Sequence, residues 1–158
     1  ALVAEWMETL KTTGVYQVSP EIKEKMQELF YAGCANDDET MAMIKKCKEE
    51  FDYVMDPHTA VAKAVYDGYV EATGDQTKTV IASTASPFKF NQSVLIALKG
   101  YPAVAGKDEF ALLDELQAVS GMDIPASLAA LKTKPRIFDL VCEKDQLQQI
   151  VGDFLKID

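Results

Sequence analysis

Residues 78–90 read KTVIASTASPFKF, and this stretch decides how the fold of the chain is interpreted. Its first five residues are mainly β-branched and apolar without strict alternation, a pattern that favours a strand buried in a parallel sheet. Ser83, Thr84 and Ser86 follow directly, and Pro87 suits the first position of a helix. A buried strand that passes straight into a helix is typical of an α/β layer fold.

The hydroxyl groups at this strand-to-helix junction form the first candidate site. In open parallel sheets, ligands bind at the carboxyl ends of the strands, where the next helix offers free N–H groups. Ser83 and Thr84 are hydroxyl donors suited to an anion or an aromatic ring nitrogen, and Lys89 adds a charge suited to a phosphate or carboxylate. The alternative, which spacing alone favours, is that the hydroxyls only cap a helix and that Lys89 is solvated.

A second candidate site is the sequence from Asp56 to Thr59, in which Pro57 marks a helix start. His58, the single histidine of the chain, stands close to Asp56 and is suited to act as a base or to orient a substrate. The more ordinary interpretation is that Asp56 caps the helix and that the group is structural. Both interpretations stay open at this point.

The rest of the chain is dominated by the spacing of amphipathic helices, of which about seven are predicted. One is expected to begin at Ser19 and Pro20, and another at the acidic run of residues 37–39. The helix that Pro57 starts is expected to end at Thr73 and Gly74, and the last helix to cover residues 143–157. Residues 137–141 form a further strand candidate, and residues 29–36 allow a brief third. The predicted fold class is α/β, a helix-rich, three-layer segment with a short, mainly parallel sheet, built as a single unit of residues 1–158. Such a short sheet is too small for so many helices. The domain is therefore either mostly helical or paired with strands in sequence outside the chain.

Composition narrows the class of protein. The 158 residues contain 16 Lys and Arg against 25 Asp and Glu, a formal net charge of −9, which disfavours nucleic acid and anionic membrane surfaces as partners. Three cysteines without a CxxC pair, and one histidine, fit neither the usual zinc sites nor a disulfide framework. We therefore expect no metal and a reducing, cytoplasmic location. No apolar run reaches membrane-spanning length, and no signal peptide is expected.

Two blocks of the sequence resemble the threonine synthase family of pyridoxal-phosphate enzymes. Residues 79–90, TVIASTASPFKF, are similar to the family's segment ending in STAHPAKF, and residues 52–62, DYVMDPHTAVA, are similar to its LDPHTAVG-like stretch. The order and separation of the two blocks also match. The resemblance extends from about Gly14 onward, and it departs from the family at Ser86, where histidine is common, and at Phe88, where a small residue is common.

The resemblance implies a function and a set of site residues. The whole enzyme converts O-phosphohomoserine and water to threonine and phosphate, as a carbon–oxygen lyase that uses pyridoxal 5'-phosphate in threonine biosynthesis. Thr84 matches the residue that bonds the cofactor's ring nitrogen, with Ser83 as second choice. Lys89 matches a lysine suited to the substrate's phosphate, whereas Asp56 and His58 match a motif whose role is mainly structural.

The resemblance also implies that the chain is the C-terminal portion of such an enzyme. The family's Schiff-base lysine and glycine-rich cofactor loop belong to earlier sequence, so no catalytic residue is assigned within residues 1–158 and the chain alone is expected to be inactive. Its partners would be O-phosphohomoserine and the N-terminal part of the same polypeptide. A different class of function stays open, that of a free-standing, non-catalytic acidic α/β module that binds a small anion or a protein.

Overall fold

Helices form the regular structure of this chain, of which the computed structural model describes residues 2–137 and 139–157. The α-helices of these residues are α1 Leu2–Thr13, α2 Pro20–Gln27, α3 Asp37–Phe51, α4 Pro57–Thr73, α5 Asn91–Lys99, α6 Glu109–Ser120, α7 Ala126–Ala129 and α8 Leu147–Leu155. Short 3₁₀ turns occupy Pro87–Phe90, Tyr101–Ala103, Ala130–Lys132 and Lys144–Gln146. The chain divides into two compact units, the first ending at Met122 and the second beginning at Asp123.

The helices begin and end where local hydrogen bonding in the sequence predicts. Ser19 caps α2, with Pro20 at its first position, as expected. At α3, the Asn36 side chain accepts a hydrogen bond from Glu39 N–H at 2.9 Å, and the Glu39 carboxylate accepts one from Asn36 N–H at 2.8 Å. Gly74 ends α4 with φ +70°, a left-handed conformation that glycine adopts without steric cost. These predicted helix boundaries are confirmed.

The core of the first unit lies where α5 packs against both α3 and α6, while α3 also packs against α4. The side chains that are fully shielded from solvent include Ile44 of α3, Val94 and Leu95 of α5, and Leu116 of α6. By contrast, α1 and α2 bury no residue. Because the start of α4 lies in this core, the loop that precedes it is held firmly, and the candidate site is built on that loop.

The predicted sheet, and with it the α/β, three-layer fold class, is wrong for the described residues. Residues 78–82 and 29–36 contain no paired strand, and Val80 is 94% exposed. Residues 137–141 contain no strand either where they are described, whereas Phe138 lies outside the described residues. The physical reason is that β-branched composition gives a strand only where a neighbouring backbone takes up its N–H and C=O groups. No such neighbour is found in residues 2–137 and 139–157.

The second unit consists of α7, α8 and the turns that join them. The predicted amphipathic helix over residues 143–157 is found as α8, preceded by a 3₁₀ turn that Glu143 and Gln146 cap reciprocally. The apolar face of α8 is exposed, with Leu147, Val151 and Phe154 each at least 45% accessible. Across both units, none of the helices described has the length and apolar character needed to cross a bilayer.

Candidate functional site

The site begins at Asp56, whose carboxylate is completely buried at the start of α4. Its Oδ1 accepts a hydrogen bond from His58 N–H at 2.9 Å and lies 3.1 Å from His58 Nδ1. Its Oδ2 accepts a hydrogen bond from the hydroxyl of Thr59, which is itself only 5% exposed. Each carboxylate oxygen therefore has its own donor, which is the condition under which a buried polar group is tolerated.

Two opposing effects act on the pKa of Asp56. Burial raises the pKa because it disfavours the charged form, but hydrogen bonds from Thr59 and His58 favour that form and outweigh burial. The net effect holds the pKa of Asp56 below its ordinary value of 3.8. The buried group is therefore a carboxylate at neutral pH, and it acts as a fixed hydrogen-bond acceptor.

Thr59 connects this carboxylate to the hydroxyl cluster of the first candidate site. Its Oγ1 lies 3.2 Å from the Oγ of Ser83, a residue 24 positions further along the chain. The single hydroxyl proton of Thr59 is already donated to Asp56, so Ser83 supplies the proton in the contact between the two hydroxyls. The two sequence blocks are thus joined by a chain of hydrogen bonds from Ser83 through Thr59 to Asp56.

Thr84 differs from Ser83 in having no protein partner. Both side chains are exposed, but among the described residues the Thr84 hydroxyl makes no hydrogen bond. Ser86, the third hydroxyl of the cluster, accepts a hydrogen bond from Phe88 N–H at 3.3 Å and caps the turn at Pro87–Phe90. The capping alternative therefore applies to Ser86, and the hydroxyl of Thr84 remains available to a ligand.

A second contact between the blocks joins His58 to Phe90. Their rings lie 4.9 Å apart, centroid to centroid, at an angle of 54°. Lys89 is exposed, and its Nζ lies 5.5 Å from the centre of the Phe90 ring. Within the described part of the chain Lys89 forms no ion pair, so its charge is not neutralised by a neighbouring carboxylate.

A groove of about 980 Å³ lies beside the site, between residues 27–33, the exposed side of α4 and residues 79–82. Gly33 brings the first of these segments close to α4, because a Cβ at this position would lie 2.9 Å from a methyl carbon of Val65. Tyr31 packs edge-on against Tyr69 of α4, with ring centroids 5.0 Å apart. The two segments and the helix thus line one groove, whose surface is mainly apolar and which includes His58.

Thr59 is the functional candidate that the sequence reasoning did not assign. The signal was present, because a threonine three residues after a helix-capping aspartate is placed to turn its hydroxyl back toward the cap. The contact with Ser83 had no signal in the local sequence. Asp56, His58, Ser83 and Phe90 are brought together. Among the described residues, Thr84 and Lys89 form no hydrogen bond or ion pair with each other or with the buried carboxylate.

The comparison with protein families decides the family of this chain. The model of the family described as "Threonine synthase, C-terminal" matches residues 59–151, which is more than half of the chain. The chain belongs to this family. The resemblance drawn from residues 52–62 and 79–90 is confirmed, and Thr59, Ser83 and Thr84 lie within the matched region.

Curated relatives agree with this family. The chain is 39% identical over 101 residues to threonine synthase of Schizosaccharomyces pombe and 34% identical over 105 residues to that of Saccharomyces cerevisiae. Each match covers 63% of this chain and 20% of the relative. A match to human threonine synthase-like 1 is 34% identical over 98 residues and covers 62% of this chain and 13% of that protein. The chain thus spans about a fifth or less of the relatives' length.

A solved structure has the same fold. The PLP-bound threonine synthase from Brucella melitensis superimposes with a TM-score of 0.66 over 98% of this chain and 28% of that chain, at 22% sequence identity. The largely helical arrangement described above is therefore the arrangement of one part of a larger synthase fold.

Proposed function

We propose that this chain supplies the C-terminal part of a threonine synthase, a carbon–oxygen lyase that converts O-phosphohomoserine and water to threonine and phosphate in the cytoplasm. The observation that carries the proposal is the exposed hydroxyl of Thr84, which has no hydrogen-bond partner among the described residues and belongs to the matched family region. The free thiols of Cys34, Cys47 and Cys142 are in keeping with a reducing compartment.

The residues around Thr84 fit the ring nitrogen of pyridoxal phosphate. When bound, the cofactor withdraws electrons from the substrate carbon atoms where bonds change. A carboxylate would hold the ring nitrogen protonated, whereas a neutral hydroxyl bonds to this nitrogen without holding it protonated. The hydroxyl thereby sets how strongly the ring withdraws electrons. Ser83 is the less suitable choice, because its proton is directed to Thr59. The carboxylate of Asp56, which would stabilise a protonated ring nitrogen, is completely buried, and its oxygens already accept hydrogen bonds from His58 and Thr59.

Lys89 is the residue proposed to bind the phosphate of the substrate. Its ammonium group is exposed, makes no ion pair in the described residues and is supported on one side by the Phe90 ring. Phe90 is held in turn by His58, so His58 positions the lysine-bearing turn and has no direct role in the chemistry. No lysine of this chain is assigned to the covalent attachment of the cofactor.

The non-helical segments beside the groove support the proposal that the chain functions as part of a larger polypeptide. Val80 and Leu29 are 94% and 81% exposed, and neither segment is paired with a strand in the described residues. Large exposed apolar residues on unpaired backbone are typical of surfaces that another part of a protein covers. Since the chain covers 28% of the Brucella synthase, the remaining polypeptide is the proposed source of those neighbours and of the attachment lysine.

The test uses the full-length polypeptide and replaces Thr84 with valine or serine. Thr84→Val removes one hydrogen bond to the ring nitrogen, and a bond of about 0.5–1.5 kcal/mol corresponds to a cofactor affinity roughly 2- to 13-fold weaker, with reduced turnover. Thr84→Ser keeps the hydroxyl and is expected to retain most of both. Thr12→Val, at an exposed position of α1, is the matched control.

Two results would contradict the proposal. Unchanged cofactor affinity and turnover in Thr84→Val would remove Thr84 from the site. A natural polypeptide of only 158 residues that binds small anions without turnover would favour the non-catalytic module instead. The mass of the protein isolated from its own cells shows whether the natural polypeptide is longer than 158 residues, and so separates the synthase from the non-catalytic module.

A further inference from the structure

The Asp56 carboxylate, which begins the chain of hydrogen bonds between the two sequence blocks, accepts more hydrogen bonds than a helix cap requires. A capping carboxylate needs only to accept a backbone N–H of the first turn, and Asp56 Oδ1 already does so through His58 N–H. Its second oxygen is used for the side chain of Thr59. Asp108, which caps α6, provides the contrast: its carboxylate is exposed and, within the described part of the chain, accepts only from Ala111 N–H, at 2.8 Å.

We infer that Asp56 and Thr59 are positioning residues that fix the direction in which the Ser83–Thr84 segment presents its hydroxyls to the cofactor. The inference deepens the proposed function and rests on it. The carboxylate orients the Thr59 hydroxyl, which then offers only its lone pairs to Ser83, at 3.2 Å. Ser83 is thereby fixed as the donor, and Thr84, the next residue, is fixed with its own hydroxyl toward the exposed side.

The burial of Asp56 and Thr59 explains how their hydrogen bonds can fix the position of Ser83. Asp56 is 0% and Thr59 5% exposed, so this end of the chain of hydrogen bonds is held in the core, where α4 packs against α3. Ser83 and Thr84 are exposed and lie on a segment without paired backbone. The hydrogen bond from the Ser83 side chain to Thr59 thus connects this segment, whose backbone is unpaired, to the core.

The experiment compares Thr59→Val with Thr59→Ser in the full-length enzyme. Valine has the shape of threonine without its hydroxyl, whereas serine retains the hydroxyl. We expect Thr59→Val to weaken cofactor affinity by about 3- to 10-fold, measured by titration of the cofactor-free enzyme, and Thr59→Ser to restore it to within about 2-fold. A role confined to folding would move the urea midpoint of Thr59→Val but leave the cofactor affinity of the folded enzyme unchanged.

Ser83→Ala provides a second variant that does not disturb the buried carboxylate, since Ser83 is exposed. If the two residues act through one hydrogen bond, the double variant Thr59→Val, Ser83→Ala loses no more affinity than either single variant. Independent losses that multiply would overturn the inference. Asp108→Asn, at the cap of α6 and outside this site, is the control and is expected to change cofactor affinity by less than about 2-fold.

A measurement without cofactor separates this inference from the proposed function. The peptide of residues 83–90 contains the N–H groups of Phe88 and Lys89, which both donate to Ser86. Its hydrogen exchange is expected to be several-fold faster in cofactor-free Thr59→Val than in the parent enzyme, and unchanged in Thr84→Val. If Thr84→Val weakens cofactor binding but Thr59→Val alters neither exchange nor affinity, the positioning role is refuted and the proposed function stands. If Thr84→Val has no effect on affinity while Thr59→Val accelerates exchange, the proposed function is refuted and the tie to the core stands.

Discussion

Replacing Asp56 with alanine tests the physical account of the site without any ligand. The carboxylate performs two tasks that can be separated in magnitude. It caps α4 by accepting His58 N–H, and it accepts the buried hydroxyl of Thr59. Loss of a capping aspartate costs about 1 kcal/mol of the free energy of unfolding. A buried hydroxyl left without its acceptor costs about 1–3 kcal/mol more.

The sum predicts that Asp56→Ala lowers the free energy of unfolding by roughly 2–4 kcal/mol at neutral pH. Part of the loss is recovered if the freed Thr59 proton turns to Ser83, which places the expected value toward the lower end. Asp108→Ala is the matched control, because Asp108 also caps a helix but is exposed and accepts a backbone N–H. It is expected to cost only about 1 kcal/mol.

The same variant has a pH signature whose direction follows from the lowered pKa of Asp56. The folded protein holds this carboxylate deprotonated more firmly than the unfolded chain does, so its stabilisation is complete above the ordinary pKa of 3.8. The stabilisation is lost as pH falls through the lower pKa of the folded state. The difference between the parent chain and Asp56→Ala is therefore expected to narrow progressively below about pH 3.8.

The assay is urea unfolding followed by helical circular dichroism, at neutral pH and in steps toward acid pH. Asp56→Ala is expected to lower the free energy of unfolding by at least about 1 kcal/mol more than Asp108→Ala does. Equal losses for the two variants would refute the claim that the Thr59 hydroxyl depends on Asp56. A difference that persists unchanged in strong acid would refute the assigned ionisation of Asp56.

Two further predictions concern other parts of the first unit. Leu116 of α6 is fully buried, so Leu116→Ala is expected to lower the free energy of unfolding by about 2–5 kcal/mol. Leu29 is 81% exposed, so the control Leu29→Ala is expected to change this free energy by less than about 0.5 kcal/mol. Similar urea midpoints for the two variants would contradict the assigned core. The Tyr69 hydroxyl donates to Asp75 Oδ2 at 2.7 Å, and this hydrogen bond, with burial and the carboxylate charge, raises the pKa of Tyr69 above its ordinary value of 10.0. Asp75→Asn is expected to move the pKa of Tyr69 back toward that value, measured by tyrosinate absorbance with Tyr69→Phe as the assignment control, and an unchanged titration would mean that Asp75 is not the cause.

Helix boundaries were predictable because their chemistry is local. The Ser19 side chain accepts a hydrogen bond from the N–H of Ile22, three residues further along, and Asp56, His58 and Thr59 lie within one turn. A reader of the sequence sees both partners of each such hydrogen bond. The strand candidates failed for the opposite reason, because the partner of a strand is remote in sequence and its identity is not encoded in the strand itself.

The site could be predicted in part for the same physical reason. Two conspicuous motifs pointed to Thr84, Ser83, Lys89, Asp56 and His58, and the resemblance of those motifs placed the chain in its family. Residue type and spacing offered no way to distinguish the hydroxyl of Ser83 from that of Thr84, and only the family resemblance ranked Thr84 first. Only the contact with Thr59, across 24 residues, gives them different tasks.

The amino-acid sequence by itself determined the helices, their caps and the family, because these depend on residue type at short spacing and on motifs that stand intact in the chain. The tertiary structure decided two other matters. It left residues 78–82 without a neighbouring strand among the described residues, and it brought Ser83 against Thr59, whose hydroxyl donates to a buried carboxylate. Both depend on which backbone and which side chains the folded core brings within hydrogen-bonding distance, and spacing along the chain does not fix that.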